Sequence, residues 1–258
     1  MLIGANKEIA KIAQFFLFRL VENDKDMSQT CLGSYHSVIV IIRNQHLKED
    51  VMANKFIPGK NVEVPDIPYK DQIELPSDQT ALIIIDMQND FVKEDGKMPT
   101  PGAEGTIPRI SSLLEQARSR EVRVAYSQDT MFKDDPEFDI WGQHCLIHTW
   151  GWEIIEELRP RKEERVIRKN RYDAFYQTCL DHFLTRIWKV KHIVVVGTVS
   201  NICVLHTAAS AGLRWFRVVI PADCISSLTE FDQALTLRQV TSLYNGVVLK
   251  SSQNIQFK

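Results

Sequence analysis

The chain has 258 residues, of which 44% are hydrophobic and 25% charged, and its formal net charge is -2. These values are typical of one globular domain with an extension, and the lack of a basic surplus argues against binding to nucleic acid or to an anionic membrane. The five cysteines lie far apart and form no CxxC pair. Their odd number and their spacing favour reduced thiols in a cytoplasmic protein over a disulfide framework or a zinc site.

Residues 1–51 carry no motif and differ in character from the rest of the chain. Their pattern is compatible with an amphipathic helix over residues 6–22 and with an isolated β-branched run at 38–42. The apolar stretch 12–21 contains Arg19, is too short to span a bilayer and is followed by no small-residue cleavage site. The sequence therefore predicts neither a transmembrane helix nor a signal peptide in this region.

The codons for Lys48, Glu49 and Asp50 suggest an origin for this extension. These residues can be encoded as AAG GAG GAT, a purine-rich ribosome-binding sequence, a few bases upstream of the codon for Met52. Our hypothesis is that the natural chain starts at Met52 and that residues 1–51 are an upstream over-translation. The alternative is that the tripeptide is ordinary coding sequence. The DNA sequence and the mass of the native N-terminus would decide between them.

Residues 52–79 are rich in proline and polar residues and show no helical periodicity, which predicts an extended lead-in that wraps a surface. From residue 80 to residue 258, apolar runs alternate with helical patterns. Ala81–Ile85 is a continuous apolar run, as expected of a strand buried on both faces of a parallel sheet. The predicted strands are 81–85, 122–127, 165–168, 192–196, 217–220 and 247–249. The predicted helices are 107–119, 151–158, 178–188, 202–212 and 230–244, and a long loop spans 128–149.

This alternation predicts an α/β fold, a three-layer α/β/α domain that is doubly wound and has about six mostly parallel strands. In such folds, ligands bind beyond the carboxyl ends of the strands. Asp86 follows the first strand, Lys169 follows the third, and Cys203 lies in the predicted first turn of helix 202–212.

These three residue types can perform nucleophilic chemistry together. The helix dipole and a nearby ammonium favour a thiolate and are expected to lower the pKa of Cys203, while a carboxylate can act as its base. Each residue alone has another interpretation. Asp86 could be a cap, Lys169 a surface charge, and Cys203 a buried packing residue.

Three segments around these residues resemble the signatures of the isochorismatase-like cysteine hydrolases. They are DMQNDF at 86–91, KNRYDAF at 169–175 and GTVSNICVLHTA at 197–208. The resemblance runs from about residue 80 to residue 249, with similar order and spacing, and leaves residues 1–79 uncovered. The superfamily includes nicotinamidases, ureidoacrylate amidohydrolases and N-carbamoylsarcosine amidohydrolases.

The resemblance implies a catalytic triad in which Asp86 is the general base, Lys169 its charged partner and Cys203 the nucleophile. It also implies a non-proline cis peptide bond between Thr198 and Val199. In the family, this bond directs the N–H of Val199 toward the same point as the N–H of Cys203, and the two form an oxyanion hole. The implied reaction is attack of the thiolate on an amide or ureide carbonyl, loss of the amine or ammonia, and hydrolysis of the thioester.

The loop 128–149 departs from the metal site of the nicotinamidases. Those enzymes carry an Asp-x-His and a later histidine, whereas here Met131 stands in place of the first histidine between Asp129 and His144. A thioether is a poor ligand beside oxygen and nitrogen donors. We therefore expect no cofactor and no catalytic metal, and Asp129 and His144 are the remaining candidate ligands.

Several residues near the motifs are candidates for the substrate pocket. Phe91, Trp141 and Trp150 could stack on a planar substrate, Tyr172 could hydrogen-bond to it, and Asn201 could line the pocket or cap the helix. Ordinary core packing is the alternative for each aromatic residue.

Other histidines and cysteines are given no catalytic role. A dyad of Cys203 with His144 is disfavoured because Asp86 and Lys169 already fill that role, and His206 is expected to be packed or solvated. The remaining cysteines are expected to be structural; they are Cys31, Cys145, Cys179 and Cys224.

The sequence therefore predicts a cytoplasmic cysteine hydrolase that cleaves a C–N bond in a small amide or ureide. The alternatives are a nicotinamidase and, from a different class, a non-catalytic member of the family that binds a small ligand. Isochorismatase chemistry, the cleavage of a vinyl ether, needs no cysteine nucleophile, so Cys203 argues against it. The expected partners are the small-molecule substrate and, as the resemblance implies, further copies of the chain. Neither nucleic acid nor a membrane is expected.

Overall fold

The computed structural model describes residues 63–258. The predictions made for residues 1–51, for the start at Met52 and for Cys31 lie outside the described residues. Within residues 63–258, no helix is both long enough and apolar enough to cross a membrane.

A parallel sheet forms the centre of the described part of the chain. The strands are β1 (Ile73–Leu75), β2 (Thr80–Ile85), β3 (Arg123–Asp129), β4 (Arg165–Lys169), β5 (His192–Thr198), β6 (Arg217–Pro221), β7 (Ile225–Ser226), β8 (Val247–Leu249) and β9 (Ile255–Phe257). Seven of them form one sheet in the order β4-β3-β2-β5-β6-β8, with β7 paired to the end of β5. All of the pairings are parallel.

Helices cover both faces of this sheet. They are α1 (Asn89–Val92), α2 (Ala103–Ser119), α3 (Phe138–Trp141), α4 (Leu180–His182), α5 (Leu205–Leu213) and α6 (Glu230–Leu243). Successive side chains of β2 point to opposite faces, so Leu82 and Ile84 pack with α2 while Ile83 and Ile85 pack with α5 and α6. Because β2 is buried on both sides, its sequence is a continuous apolar run. The predicted three-layer α/β/α fold is confirmed.

Most predicted elements are present with shifted ends, but two regions differ in kind. Residues 151–158 do not form a helix; they form two 3-10 turns, Trp150–Trp152 and Glu156–Leu158. Their backbone groups bond to the segment after β2 instead, since Asn89 N–H donates to Glu153 O and Ile155 N–H donates to Met87 O.

The predicted helices 178–188 and 202–212 each contain a π turn, Phe183–Ile187 and Ser200–Val204 respectively. Cys203 therefore lies in a π turn before α5 rather than in the first turn of an α-helix. The N–H of Val204 donates to the carbonyl of Val199, five residues earlier, which defines this turn.

The strand order brings Asp86 and Cys203 to the same edge of the sheet. The chain runs from β2 outward to β3 and β4, then returns to the other side of β2 as β5. The carboxyl ends of β2 and β5 therefore flank the topological switch point, where doubly wound folds bind ligands. Asp86 follows β2 and Cys203 follows β5, so the fold brings them to the same crevice.

Candidate active site

Asp86 is fixed rigidly at the end of β2. It is fully buried and has a φ of 47°, in a left-handed region that non-glycine residues seldom adopt and that is enriched at functional sites. The Ser127 hydroxyl donates to Asp86 Oδ1 over 2.7 Å. These contacts leave Asp86 Oδ2 to face the neighbouring lysine.

Lys169 is the centre of the site. Its side chain is completely buried, and its Nζ lies 2.8 Å from Asp86 Oδ2, 3.1 Å from Asp129 Oδ1 and 3.6 Å from Cys203 Sγ. Lys169 is the last residue of β4 and pairs in register with Asp129 at the end of β3. The structure thus brings together the three residues predicted from the strand ends and adds Asp129 as a second anionic partner of the lysine.

The charges of this cluster shift its pKa values. Burial alone would lower the pKa of Lys169, but Asp129 and Asp86 hold it well above its ordinary value of 10.5. Burial would likewise raise the pKa of Asp129, yet Lys169 and His144 lower it. For Asp86, burial prevails over Lys169 and raises the pKa from its ordinary value of 3.8. Lys169 is therefore a permanent cation here.

The Cys203 thiol is less acidic than the sequence predicted. Burial raises its pKa well above 9.0, and Asp86 and Asp129 add to this, although Lys169 opposes them. The expected lowering of the thiol pKa is wrong, first because the thiol is buried and then because two carboxylates oppose the effect of the one ammonium. Cys203 is consequently a neutral thiol before substrate binds.

Cys203 opens on a small pocket. The lining residues are Phe91, Met98, Asp129, Glu137, Trp141, His144, Tyr172, Thr198, Val199, Ile202 and Cys203. The peptide bond between Thr198 and Val199 is cis. The wall also contains a polar link, since Trp141 Nε1 donates to the Tyr172 hydroxyl over 2.9 Å.

Two residues proposed for the pocket lie elsewhere. Trp150 is half exposed, in the first 3-10 turn, and is not part of the lining. Asn201 is not part of the lining either, because its Nδ2 donates to Asp232 Oδ1 on α6 over 3.0 Å. Asn201 therefore ties the π turn to α6 instead of facing a ligand.

Asp129, Glu137 and His144 form a buried cluster on the pocket wall. One ligand atom from each lies within 4.8 Å of the others. His144 Nδ1 lies 2.8 Å from the carbonyl of Gly142, an acceptor, so Nδ1 carries a proton. His144 Nε2 then faces Asp129 Oδ2 at 3.5 Å and Glu137 Oε1 at 4.0 Å. Because carboxylates only accept, either a proton on Nε2 or a cation between the three groups satisfies this arrangement.

A divalent metal fits these three residues chemically. Two carboxylates and an imidazole whose Nδ1–H donates to a carbonyl are a usual ligand set for zinc or manganese. Met131 is not part of the cluster; it is buried beside Cys145 and Leu146, with its backbone N–H bonded to Cys145 O. Glu137 was missed as a candidate because nothing in the loop sequence distinguishes it from three neighbouring acidic residues, Asp134, Asp135 and Asp139.

His206 and the remaining described cysteines have simpler environments. His206 is exposed, and its Nδ1 lies 2.7 Å from Ile202 O. Cys145 and Cys224 are buried, Cys179 is exposed, and none of the three forms a disulfide. Burial raises the pKa of both buried thiols.

The fold and the site define a hydrolase-type α/β protein with a thiol, a carboxylate and an ammonium at the switch point of the sheet. The family model described as Isochorismatase domain matches residues 80–253. The chain therefore belongs to the isochorismatase family of hydrolases.

Relatives and solved structures agree with this assignment. The chain is 31% identical over 176 residues to an uncharacterised isochorismatase family protein, YaaI, from Bacillus subtilis, covering 68% of this chain and 96% of that protein. It is 28% identical over 216 residues to the ureidoacrylate amidohydrolase RutB from Rhizobium rhizogenes, covering 73% of this chain and 87% of RutB. The crystal structure of N-carbamoylsarcosine amidase from Thermoplasma acidophilum superposes with a TM-score of 0.62 at 32% identity, covering 67% of this chain and 96% of the amidase.

Proposed function

We propose that this protein is a cysteine hydrolase that cleaves a C–N bond in a small amide or ureide through a thioester. The observation that carries the proposal is the position of Lys169 Nζ, within 3.6 Å of both carboxylates and of Cys203 Sγ at the base of a pocket. A buried ammonium shared by a carboxylate and a thiol suits nucleophilic catalysis better than it suits stability.

In the proposed first step, Cys203 Sγ attacks the substrate carbonyl carbon while its proton passes to Asp86. The new C–S bond places negative charge on the carbonyl oxygen, and the N–H groups of Val199 and Cys203 are proposed to donate hydrogen bonds to this oxygen as an oxyanion hole. Collapse of this intermediate breaks the C–N bond, and the proton held by Asp86 moves to the leaving nitrogen. Lys169 stays protonated and balances the charge of Asp86 when that group is ionised.

In the proposed second step, water attacks the thioester carbonyl. Asp86 accepts a proton from the water, and the tetrahedral intermediate then expels Cys203 Sγ, which takes the proton back. The products are a carboxylic acid, or a carbamic acid when the substrate is a ureide. Asp86 ends ionised and Cys203 ends as a thiol, so the site is restored for the next turnover.

The named relatives support an amide or ureide substrate. RutB and N-carbamoylsarcosine amidase both act, by their names, on compounds with a carbamoyl group. The pocket is small and its walls include Phe91, Trp141 and Tyr172, which suits a compact, flat substrate. We propose no required metal. Were a divalent metal to bind, Asp129, Glu137 and His144 would hold it, and it would supply a Lewis acid close to the substrate.

Nicotinamidase is the second candidate, and the metal-competent cluster Asp129–Glu137–His144 is the observation that favours it. It predicts hydrolysis of nicotinamide with a stoichiometric bound metal. We further propose a cytoplasmic location, which the absence of disulfides among the described cysteines supports, and assembly into a homo-oligomer. Cell fractionation and light scattering on the purified protein test these two points.

The test of the proposed function is ammonia release from a panel of small amides and ureides, including nicotinamide, by the wild type and by Cys203→Ala. We expect Cys203→Ala to lose at least about 10³-fold in kcat/KM because the nucleophile is gone. Cys145→Ala and Cys179→Ala are the matched controls, one buried near the site and one exposed, and should retain activity. Equal hydrolysis by the wild type and Cys203→Ala would rule out the mechanism, and no hydrolysis by the wild type would favour the non-catalytic alternative.

A further inference from the structure

Glu137 is a buried carboxylate on the pocket wall that the proposed mechanism does not use. Its side chain is 5% exposed, and it lines the same pocket as Cys203. It precedes α3 directly, and its backbone N–H is fixed by Asp135 Oδ1 over 2.9 Å. Its position is thus set by the local turn, while its carboxylate faces the place where a substrate would bind.

The described residues give Glu137 no hydrogen-bond donor for its carboxylate. The two nearest cationic atoms are Arg171 Nη1 at 3.8 Å and His144 Nε2 at 4.0 Å, and both lie beyond hydrogen-bond distance. Arg171 is bonded instead to Asp135, at 3.1 and 3.2 Å from its two carboxylate oxygens.

The other buried carboxylates near the site all have donors. Asp86 Oδ1 accepts a hydrogen bond from the Ser127 hydroxyl and Asp86 Oδ2 forms an ion pair with Lys169, while Asp129 Oδ1 accepts a hydrogen bond from Lys169. Asp90 accepts the backbone N–H groups of Lys97 and Cys145 at 3.0 and 2.7 Å. Glu137 lines the pocket instead, so its carboxylate can accept hydrogen bonds from a molecule bound there.

We propose that Glu137 accepts hydrogen bonds from the N–H groups of a ureide substrate and so makes the enzyme prefer ureides to simple amides. This inference rests on the proposed function and narrows its substrate class. In a ureide, the N–H bonds that point away from the carbonyl oxygen are parallel, one on each nitrogen. A carboxylate can accept both at once, whereas an amide with CH2 in place of the second nitrogen offers only one.

The arrangement also orients the reacting group. The carbonyl oxygen of a ureide points opposite to this pair of N–H bonds. With Glu137 holding the pair, the oxygen is directed away from the carboxylate, and we expect it to face the N–H groups of Val199 and Cys203, which line the same pocket. Glu137 then acts as a specificity residue that contacts substrate, and its removal should affect ureides more than amides.

The experiment compares two substrate series that differ at one atom. Alkylureas such as propylurea are paired with amides in which CH2 replaces the N–H, such as pentanamide. We measure kcat/KM by ammonia release for the wild type, Glu137→Gln and Asp139→Asn. The last variant is the matched control, since Asp139 is an exposed acid two residues further along the chain, in α3.

We expect the wild type to prefer the ureide of each pair by at least about 10-fold, because one additional buried charge-assisted hydrogen bond forms. Glu137→Gln should lose about 10- to 100-fold on ureides and markedly less on the paired amides, so that the preference collapses. Asp139→Asn should keep the wild-type preference. A structural role for Glu137 would instead reduce both series by the same factor, and that result would overturn the inference.

Three further outcomes distinguish failure of this inference from failure of the proposed function and from a metal-binding role of Glu137. If the wild type hydrolyses amides but shows no preference for ureides, the inference fails while the proposed function stands, even if Glu137→Gln does not fold. If the wild type hydrolyses no amide or ureide, both fail. If elemental analysis finds a stoichiometric metal that Glu137→Gln lacks, and chelation abolishes wild-type activity on both series, Glu137 is a metal ligand and the inference is overturned.

Discussion

At the scale of single residues, the balance of charge around Lys169 decides which group carries the proton. One ammonium faces two carboxylates and a thiol within 3.6 Å. Ionising the thiol as well would place three negative charges against one positive charge in a buried site, which is strongly unfavourable. The proposed reaction therefore begins with Cys203 protonated and Asp86 ionised, and in that proposal Asp86 accepts the proton during attack.

This assignment predicts an acid limb in the pH profile of kcat/KM. Burial raises the pKa of Asp86 above its ordinary value of 3.8, so its base form is lost as pH falls through a value higher than that of a free aspartate. Lys169 contributes no alkaline limb below pH 10.5, because its pKa lies well above that value. The measurement is kcat/KM from acid to neutral pH for an amide that the wild type hydrolyses. It covers the pH range in which circular dichroism shows that the fold is intact.

A variant of Asp129 tests the direction in which this residue shifts the pKa of Asp86. Asp129 raises the pKa of Asp86 through its negative charge, so Asp129→Asn should move the acid limb to lower pH, whatever its effect on the maximum rate. Asp139→Asn, an exposed change, should leave the limb in place. An acid limb that moves to higher pH in Asp129→Asn would show that Asp86 is not the group that titrates.

Asp86, Lys169 and Cys203 could be located from the sequence because each lies at or shortly after the end of a predicted strand, and parallel strands bring such ends together. Asp129 was named only as a possible metal ligand. Its pairing with Lys169 depends on strand register, which the sequence pattern does not fix without the turns. The predicted direction of the Cys203 pKa shift was wrong because that direction depends first on how deeply the thiol is buried and then on how many anions share one lysine.

At the scale of elements, the contact between β2 and β5 requires a glycine at the point where the site begins. Gly197 has a φ of 116°, and a Cβ there would lie 2.1 Å from the carbonyl oxygen of Ile85. β5 can therefore approach the end of β2 only with no side chain at this position, and this approach sets Cys203 beside Asp86.

We expect Gly197→Ala to lower the free energy of unfolding by at least about 2 kcal/mol, because it combines a backbone clash with an unfavourable φ. Gly105→Ala is the matched control: it lies in α2, with nothing within 4 Å of the added Cβ, and should be neutral or stabilising by up to about 1 kcal/mol. Denaturant unfolding measures both. Equal stabilities for the two variants would show that β5 can shift away from β2.

The elements themselves were predictable to different degrees. Strand β8 has the predicted ends, and β2 differs by one residue, since buried parallel strands are apolar runs. The segment 151–158 was predicted as a helix from its apolar spacing. It is not one, because its carbonyl and N–H groups bond to residues 87–89, a long-range pairing that local periodicity does not contain.

At the scale of the whole molecule, the first and last strands of the described residues pair with each other. β1 pairs with β9 in a separate two-stranded parallel sheet, with Ile73 beside Ile255 and Leu75 beside Phe257. All four side chains are buried. The predicted extended lead-in therefore contributes a strand, which lies outside the family match at 80–253.

Two shortened chains distinguish the contribution of β1 to stability from that of the residues that precede it. The solved relative from Thermoplasma acidophilum is matched over 96% of its length by only 67% of this chain, so its fold needs no counterpart of the rest. We expect a chain that starts at Met52 to match the full chain in unfolding free energy and in kcat/KM, in line with the hypothesis that the natural protein starts there.

A chain that starts at Pro76 should behave differently. It loses the buried side chains of Ile73 and Leu75 and uncovers Ile255 and Phe257, which should lower the free energy of unfolding by about 3 to 6 kcal/mol. The cluster of Asp86, Lys169 and Cys203 lies at the ends of strands of the other, seven-stranded sheet, so the fraction of the protein that stays folded should keep its kcat. Denaturant unfolding and active-site titration on all three chains measure this. If the chain from Met52 were as unstable as the chain from Pro76, residues 1–51 would belong to the folded protein and the hypothesis of an upstream over-translation would be wrong.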